Sequence, residues 1–226
     1  MSEEYRYEIK FVLNDKNYSL FMSWLGYETT ANKRYEDRLI NSLYFDDISF
    51  TSVKDNLSGV GYRSKTRLRW YGDKDKISGV PTLEKKIRSG RLGTKEYLPI
   101  KSLEDEINVL SLKEIIYRTK KESEKDPLQI ASLHPTLLVS YKREYYEDNY
   151  DLRITLDNDV TYALPVIKKK IYENYWIKTN KRILEFKFTP RQKTYVARLI
   201  RNLNLVPVRH SKYLAGLSAH GMANYI

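Results

Sequence analysis

Odd and even positions separate along several stretches of this chain. In RYEIKF, Arg6, Glu8 and Lys10 fall on one side, while Tyr7, Ile9 and Phe11 fall on the other. In LRITLD, Arg153, Thr155 and Asp157 oppose Leu152, Ile154 and Leu156. In ILEFKF, Glu185 and Lys187 oppose Leu184, Phe186 and Phe188. Side chains alternate faces along a strand, so this period predicts strands at Tyr5–Leu13, Asn41–Phe45, Tyr62–Tyr71, Thr82–Arg88, Leu137–Tyr146, Leu152–Asp157 and Ile183–Phe188. Thr94–Leu98 and Val206–Arg209 are shorter candidates. Helical spacing appears between them. Asn14 caps a helix to about Leu25, and Asp46–Leu57 reads as a second. Ser111 caps LKEIIYRTKK, Pro190 opens RQKTYVARLIRNLN, and SKYLAGLSAHGM closes the set. Strands dominate with helices inserted, which predicts an α+β fold built on an antiparallel sheet.

The polar faces are unusually charged. Arg63, Lys65, Arg67 and Arg69 occupy alternate positions of YRSKTRLRWYG. On one strand face they stand roughly 7 Å apart. Each neighbouring pair then repels by about 0.6 kcal/mol in water and about 2.4 kcal/mol at an effective dielectric near 20. Glu84, Lys86 and Arg88 share a face of TLEKKIR, and Arg143 lies with Tyr141 and Tyr145. A wet face on an antiparallel sheet is ordinary. Here the pattern runs from residue 6 to residue 187 with almost no Ser, Asn or Gln filler. One flat patch of that extent needs a very large sheet. A closed barrel of about eight strands, with the charges inside and helices packed outside, accounts for it better.

The charge balance sharpens the chemistry. Net charge is +11, which points to a polyanionic partner. With no cysteine there is no disulfide, thiolate metal site or thiol nucleophile. With three His, carboxylates must hold any metal, which favours Mg²⁺ or Mn²⁺. An interior lined by Lys and Arg needs a balancing anion. Arg forks match phosphate oxygens and Lys adds point charge. The first residues carry no secretory pattern and no segment reaches the ~18 apolar residues of a membrane helix. A single domain over residues 1–226, in the cytoplasm, is the simplest expectation. A peripheral position at the inner face of a membrane stays open.

The motifs RYEIKF, NSLYFDD, YRSKTRLRWYG, LEKKI, YKREYY, LRITLD, LEFKF and SKYLAGL occur in this order. Together they resemble the VTC (polyphosphate polymerase) domain of the triphosphate tunnel metalloenzymes, the CYTH superfamily. The resemblance runs from about Tyr5 to Leu217. It implies a β-barrel tunnel in which the γ-phosphate of ATP passes to a growing polyphosphate chain, with Mn²⁺ or Mg²⁺. It places Lys10, Arg67, Arg69, Lys86, Arg143, Arg153 and Lys187 on the triphosphate or product, with Arg209, Ser211 and Lys212 at the phosphate-binding end. It makes Glu185 the metal ligand. Glu8 is either a second ligand or the group that orients Lys10 or an arginine. Arg6 stands where the wider superfamily has the first Glu of Glu-x-Glu-x-Lys, which resembles the polymerase branch.

Other residues read more plainly. Glu84 pairs with a neighbouring cation. Asp157 is an interior carboxylate or part of a strand-ending LDND turn. Lys95 and Arg88 lie near a mouth, in water or on ligand. Tyr141, Tyr145, Trp24, Trp70 and Trp176 read as packing, His134 as loop, and His210 carries no assigned role. The expected partners are ATP and inorganic polyphosphate or triphosphate. Rival readings are an inorganic or nucleoside triphosphatase of the same fold, a non-catalytic polyphosphate-binding module, and RNA binding. The glutamates on the basic faces and the lack of an RNP-like motif count against RNA. Oligomeric state, and whether a membrane partner receives product, are left open by the sequence.

Overall fold

The computed structural model describes residues 7–90 and 92–223. In chain order these form β1 (Tyr7–Leu13), α1 (Asp15–Glu28), β2 (Asn32–Asp46), α2 (Thr51–Ser58), β3 (Tyr62–Gly72), β4 (Ile77–Ser89) and β5 (Leu92–Pro99). There follow α3 (Leu112–Ser123), β6 (His134–Glu147), β7 (Arg153–Ala163), β8 (Trp176–Lys178), β9 (Arg182–Phe188), α4 (Lys193–Leu203) and α5 (Lys212–Ala219). The fold is α+β. The hydrogen-bonded strand order is β1-β9-β7-β6-β2-β3-β4-β5, with β8 beside β7. The registers of β1 with β9, β7 with β9, and β2, β3, β4 and β5 in succession are antiparallel. Closure of a barrel needs two hydrogen-bonded neighbours for every strand. Among the described residues β1 and β5 have one each, so hydrogen bonding does not close the expected barrel.

The helix caps follow the sequence. Asn14 Oδ1 accepts from Asn17 N at 2.9 Å, and Ser111 Oγ accepts from Glu114 N at 3.3 Å. Other boundaries move for identifiable reasons. Asn41–Phe45 is only the buried end of β2; its outer half is charge-rich and exposed. There Asp37 ion-pairs with Lys33 at 2.7 Å and Lys142 at 3.1 Å. Asp46 ends β2 rather than opening a helix, because its Oδ1 accepts from the N–H groups of Asp47 and Ser52, both at 3.0 Å. Val206–Arg209 is not a strand. Pro207 has no N–H to give a ladder, and Val208 N donates to Lys10 O at 2.8 Å without a strand forming around it. Three-residue β8 is too short to show a period. The expectation for Arg6 lies outside the described residues.

The chain forms two compact units. The first holds the described residues through Arg38, with Tyr141–Val160 and Lys178–Ser211. Its core takes the apolar sides of three strands: Phe11 and Leu13 of β1, Leu184, Phe186 and Phe188 of β9, and Ile154 and Leu156 of β7. Phe21, Trp24 and Leu25 of α1 and Val196, Leu199 and Leu203 of α4 cover them. Trp24 packs edge-on to Phe186 at 5.7 Å, and its Nε1 donates to Leu199 O at 3.1 Å. Each fully buried Leu or Phe here contributes roughly 1.5–3 kcal/mol. The strand faces turned away from this core carry Glu8, Lys10, Glu185, Lys187, Arg153, Thr155 and Asp157.

The second unit holds Leu39–Ser140, Thr161–Ile177 and the described residues from Lys212. Leu43 and Phe45 of β2, Leu68 and Trp70 of β3 and Leu83 of β4 pack with Leu112 and Ile115 of α3 and with Leu128 and Ile130. Trp24 and Trp70 are thus core, as expected. At the β3–β4 turn Gly72 has φ +103°, and a Cβ there would meet Lys76 O at 2.1 Å, so the close approach requires glycine.

Candidate functional site

In the first unit the register assembles a charged cluster. Glu8 stands opposite Lys187, and Lys10 opposite Glu185, on β1 and β9. Such opposed pairs stabilise antiparallel strands by roughly 0.2–1 kcal/mol each. Lys10 Nζ lies 2.9 Å from Glu8 Oε1 and 3.7 Å from Glu185 Oε2, while Lys187 Nζ lies 2.8 Å from Glu185 Oε1. Glu185 is buried. Burial alone would raise its carboxyl pKa. Lys187, Lys10, a hydrogen bond with the Glu8 side chain and Arg143 more than reverse that and hold it well below the usual carboxylate range. Burial likewise pulls the Lys10 ammonium down, but Glu185 and Glu8 outweigh it and raise it.

Arg143 of β6 completes the cluster. Its Nε and Nη2 donate to Asp157 Oδ1 and Oδ2 of β7 at 2.5 and 2.8 Å. Its Cζ sits 5.2 Å from the Tyr141 ring centroid. Asp157 is fully buried inside β7, so LDND is not a strand-ending turn. Arg153 stands opposite Lys187 on β7 and is largely exposed, with Glu147 Oε1 3.9 Å from its Nε. The cations at the centre of this site therefore already have internal counterions. Any anion that bound there would have to exchange those ion pairs rather than fill a bare positive field.

The second unit carries its own cluster. Arg67 and Arg69 of β3 share Glu84 of β4. Arg67 Nε and Nη2 donate to Glu84 Oε2 at 2.9 and 2.8 Å, and Arg69 Nη1 lies 3.2 Å from Glu84 Oε1. Glu84 pairs with cations, as its position suggested. Arg67 Nη1 donates to Tyr44 Oη at 3.2 Å. Tyr44 stacks on Tyr213 at 4.9 Å and 10°, and Tyr213 Oη donates to Asp46 Oδ2 at 2.9 Å. The sequence reading had no role for Tyr44, Asp46 or Tyr213; their only signal was NSLYFDD and SKY within the motifs themselves. Arg69 Nε and the hydroxyl of Ser42, its partner in register, are buried without a hydrogen-bond partner among the described residues. Outward along the same face, Lys65, Lys86 and Lys95 stand side by side on β3, β4 and β5, and Arg63 stands opposite Arg88. Lys86, Arg88 and Lys95 are exposed.

The remaining expected residues fall near α5. Lys212 is its first residue, Ser211 precedes it, both are half-buried, and Arg209 is exposed. His210 O lies 3.5 Å from Lys10 Nζ.

A divalent ion here would need hard oxygen donors. Among the described residues no group of three or more His, Cys, Asp or Glu side chains could hold one. Glu8 and Glu185, however, present hard oxygens side by side, and buried Glu185 Oε1 has no aligned hydrogen bond despite the nearby Lys187. One or two carboxylates completed by phosphate oxygens is the ordinary Mg²⁺ arrangement. The residues fit such an ion bound together with a phosphate ligand, not an all-protein cage.

Similarity to solved structures gives the fold. A Pyrococcus horikoshii OT3 protein matches with a TM-score of 0.53 and 14% identity, over 96% of this chain and 99% of that one. A Hippeastrum protein, provisionally named an adenylyl cyclase and described as revealing a dominant triphosphatase activity, matches with a TM-score of 0.53 and 14% identity, over 94% and 96%. A provisionally named adenylate cyclase from Bacillus halodurans matches with a TM-score of 0.52 and 16% identity, over 93% and 96%. A search of curated protein sequences finds no match. The model of the VTC domain matches residues 5–220, nearly the full span of the elements and both charged clusters, and the chain belongs to the VTC domain family.

Proposed function

We propose that this chain is a metal-dependent polyphosphate polymerase, which transfers the γ-phosphate of ATP onto a growing inorganic polyphosphate chain. The observation that carries this reading is Glu185: a buried, ionised carboxylate between Lys10 and Lys187, beside Glu8 and Arg143, in a VTC domain. A single domain with a barrel closed around the phosphates belongs to the same proposal.

Glu8 and Glu185 are the residues that would hold Mg²⁺ or Mn²⁺, whose chemistry is to orient phosphate oxygens and offset their charge. Lys10 and Lys187 then exchange carboxylate partners for phosphate oxygens. Arg143 keeps its fork pinned by Asp157 and presents its remaining Nη1 edge. Arg67 and Arg69 bind phosphate through the donors that Glu84 does not use. Lys86, Arg153, Arg209, Ser211 and Lys212 contribute further phosphate contacts. A terminal oxygen of the chain attacks the γ-phosphorus in line. The bond from that phosphorus to the β-bridging oxygen breaks, and ADP leaves with the electron pair. No protein nucleophile is needed, because such transfer rests on positioning and electrostatics.

A second reading is hydrolysis of triphosphate by the same groups, favoured by the triphosphatase activity described for the Hippeastrum neighbour. Purified protein with ATP and Mn²⁺ or Mg²⁺, followed by metachromatic dye, tests the proposal. Polymer should accumulate, and Glu185→Ala should abolish it. No polymer together with an indifferent Glu185→Ala variant sinks the proposal.

A further inference from the structure

We infer that Tyr35, Arg38 and Tyr145 form a stacking site for the purine base of a nucleotide whose phosphates lie on the Arg143 cluster. The inference rests on the proposed phosphate reading of that cluster and adds the part of the ligand that no phosphate contact explains.

Three observations support it, all within the first unit. First, Tyr35 and Tyr145 meet edge to face, with centroids 5.9 Å apart at 90°. Tyr35 nevertheless leaves 52% of its surface open. An edge-to-face pair with one ring half open is an incomplete stack that can accept another flat ring. Second, the Arg38 guanidinium lies over both rings, 6.0 Å from the Tyr35 centroid and 5.8 Å from that of Tyr145. Among the described residues, no carboxylate or other hydrogen-bond acceptor is engaged by Arg38. Its planar donors are held in place by the rings and remain available to ring nitrogens, exocyclic oxygens or phosphate. Third, Tyr145 follows Arg143 by two residues on β6, so both side chains leave the same face roughly 7 Å apart. A cation pinned for phosphate thus has an aromatic platform one step further along its strand.

The chemistry selects a nucleotide over a bare phosphate chain. A phosphate chain has no π-face and gains nothing from an open tyrosine. A base gains from both the ring and the guanidinium. The site therefore discriminates ATP from inorganic tripolyphosphate.

The test is calorimetric titration of the full chain, with Mg²⁺ present, using ATP and tripolyphosphate in parallel. Wild type should bind ATP more tightly than tripolyphosphate. Tyr35→Ala should weaken ATP by about 5- to 150-fold, the range for losing one base–aromatic stack. It should leave tripolyphosphate within about twofold, since no phosphate contact is touched. Tyr35→Trp, which keeps a stacking face, should restore ATP. Arg38→Gln should reproduce the selective loss, and this exposed change guards against a folding artefact. Equal weakening of both ligands, or unchanged ATP binding in Tyr35→Ala, overturns the base site alone. Wild-type protein that binds neither ligand overturns the phosphate reading and the base site with it.

Discussion

Asp157→Asn is the sharpest perturbation of the first cluster. It keeps the shape of the side chain and removes its charge. Asp157 is fully buried and the Arg143 side chain is 12% exposed, so the pair is shielded from water. Breaking such a pair by neutralising one partner costs about 3–5 kcal/mol, because the other charge stays buried. Two features reduce this. The asparagine oxygen still accepts one hydrogen bond, and the Tyr141 ring at 5.2 Å retains roughly 1 kcal/mol of cation–π attraction. A net loss of about 2–3 kcal/mol is expected. At about 2–4 °C per kcal/mol for a chain this size, Tm should fall by roughly 4–12 °C. Urea melts at neutral pH should show a lower midpoint with an unchanged slope. Tripolyphosphate should raise the Tm of the variant more than that of wild type, since it supplies the missing negative charge. A loss below about 0.5 kcal/mol would show that water already screens this pair, and an equal ligand effect in both proteins would remove Arg143 from the phosphate contacts.

Other consequences are equally direct. The depressed Glu185 pKa makes its ionisation a source of stability above the unfolded value, near 4.5, and that contribution drains away as pH falls through the lower folded value. Glu185→Gln should flatten this acid limb in a Tm-versus-pH series; an unchanged limb would mean that Glu185 is not the responsible group. Tyr213→Phe keeps the stack on Tyr44 but strips Asp46 Oδ2 of its donor, so a loss of about 1–3 kcal/mol is expected in chemical denaturation. Gly216→Ala places a Cβ 2.4 Å from Leu137 Cδ2 and 2.6 Å from Tyr162 Cδ1. Overpacking should cost about 1–3 kcal/mol, and a neutral result would show that α5 shifts freely on those side chains.

The alternating faces of β1, β7 and β9 were legible because one side packs on helices and the other carries charge, so each residue declares its face. The same rule exposed Arg67, Arg69 and Lys86. The outer half of β2 gave no such signal, since both of its faces are wet and charged. Charge pairing was only half legible. Glu84 was read as a partner of cations, but Asp157 was ambiguous because LDND also suits a turn; only the position of Arg143 on the adjacent strand decides it. The balance of Lys10 and Lys187 against Glu8 and Glu185 depends on register, which periodicity does not set. Tyr44, Asp46 and Tyr213 come from segments over a hundred residues apart, and nothing local links them. Sheet closure was inferred from the extent of the charged face, and the hydrogen-bonded order leaves β1 and β5 as ends.

The central claim is transfer of phosphate to a growing chain, and a phosphate balance tests it most directly. Purified protein is given ATP with Mn²⁺, and ADP, free phosphate and polymer phosphate precipitated in cold acid are measured in the same sample over time. The account predicts that polymer phosphate rises in step with ADP while free phosphate stays low, and that Glu185→Ala stops both. Free phosphate rising one for one with ADP, with no polymer, would contradict it and identify a triphosphate hydrolase instead.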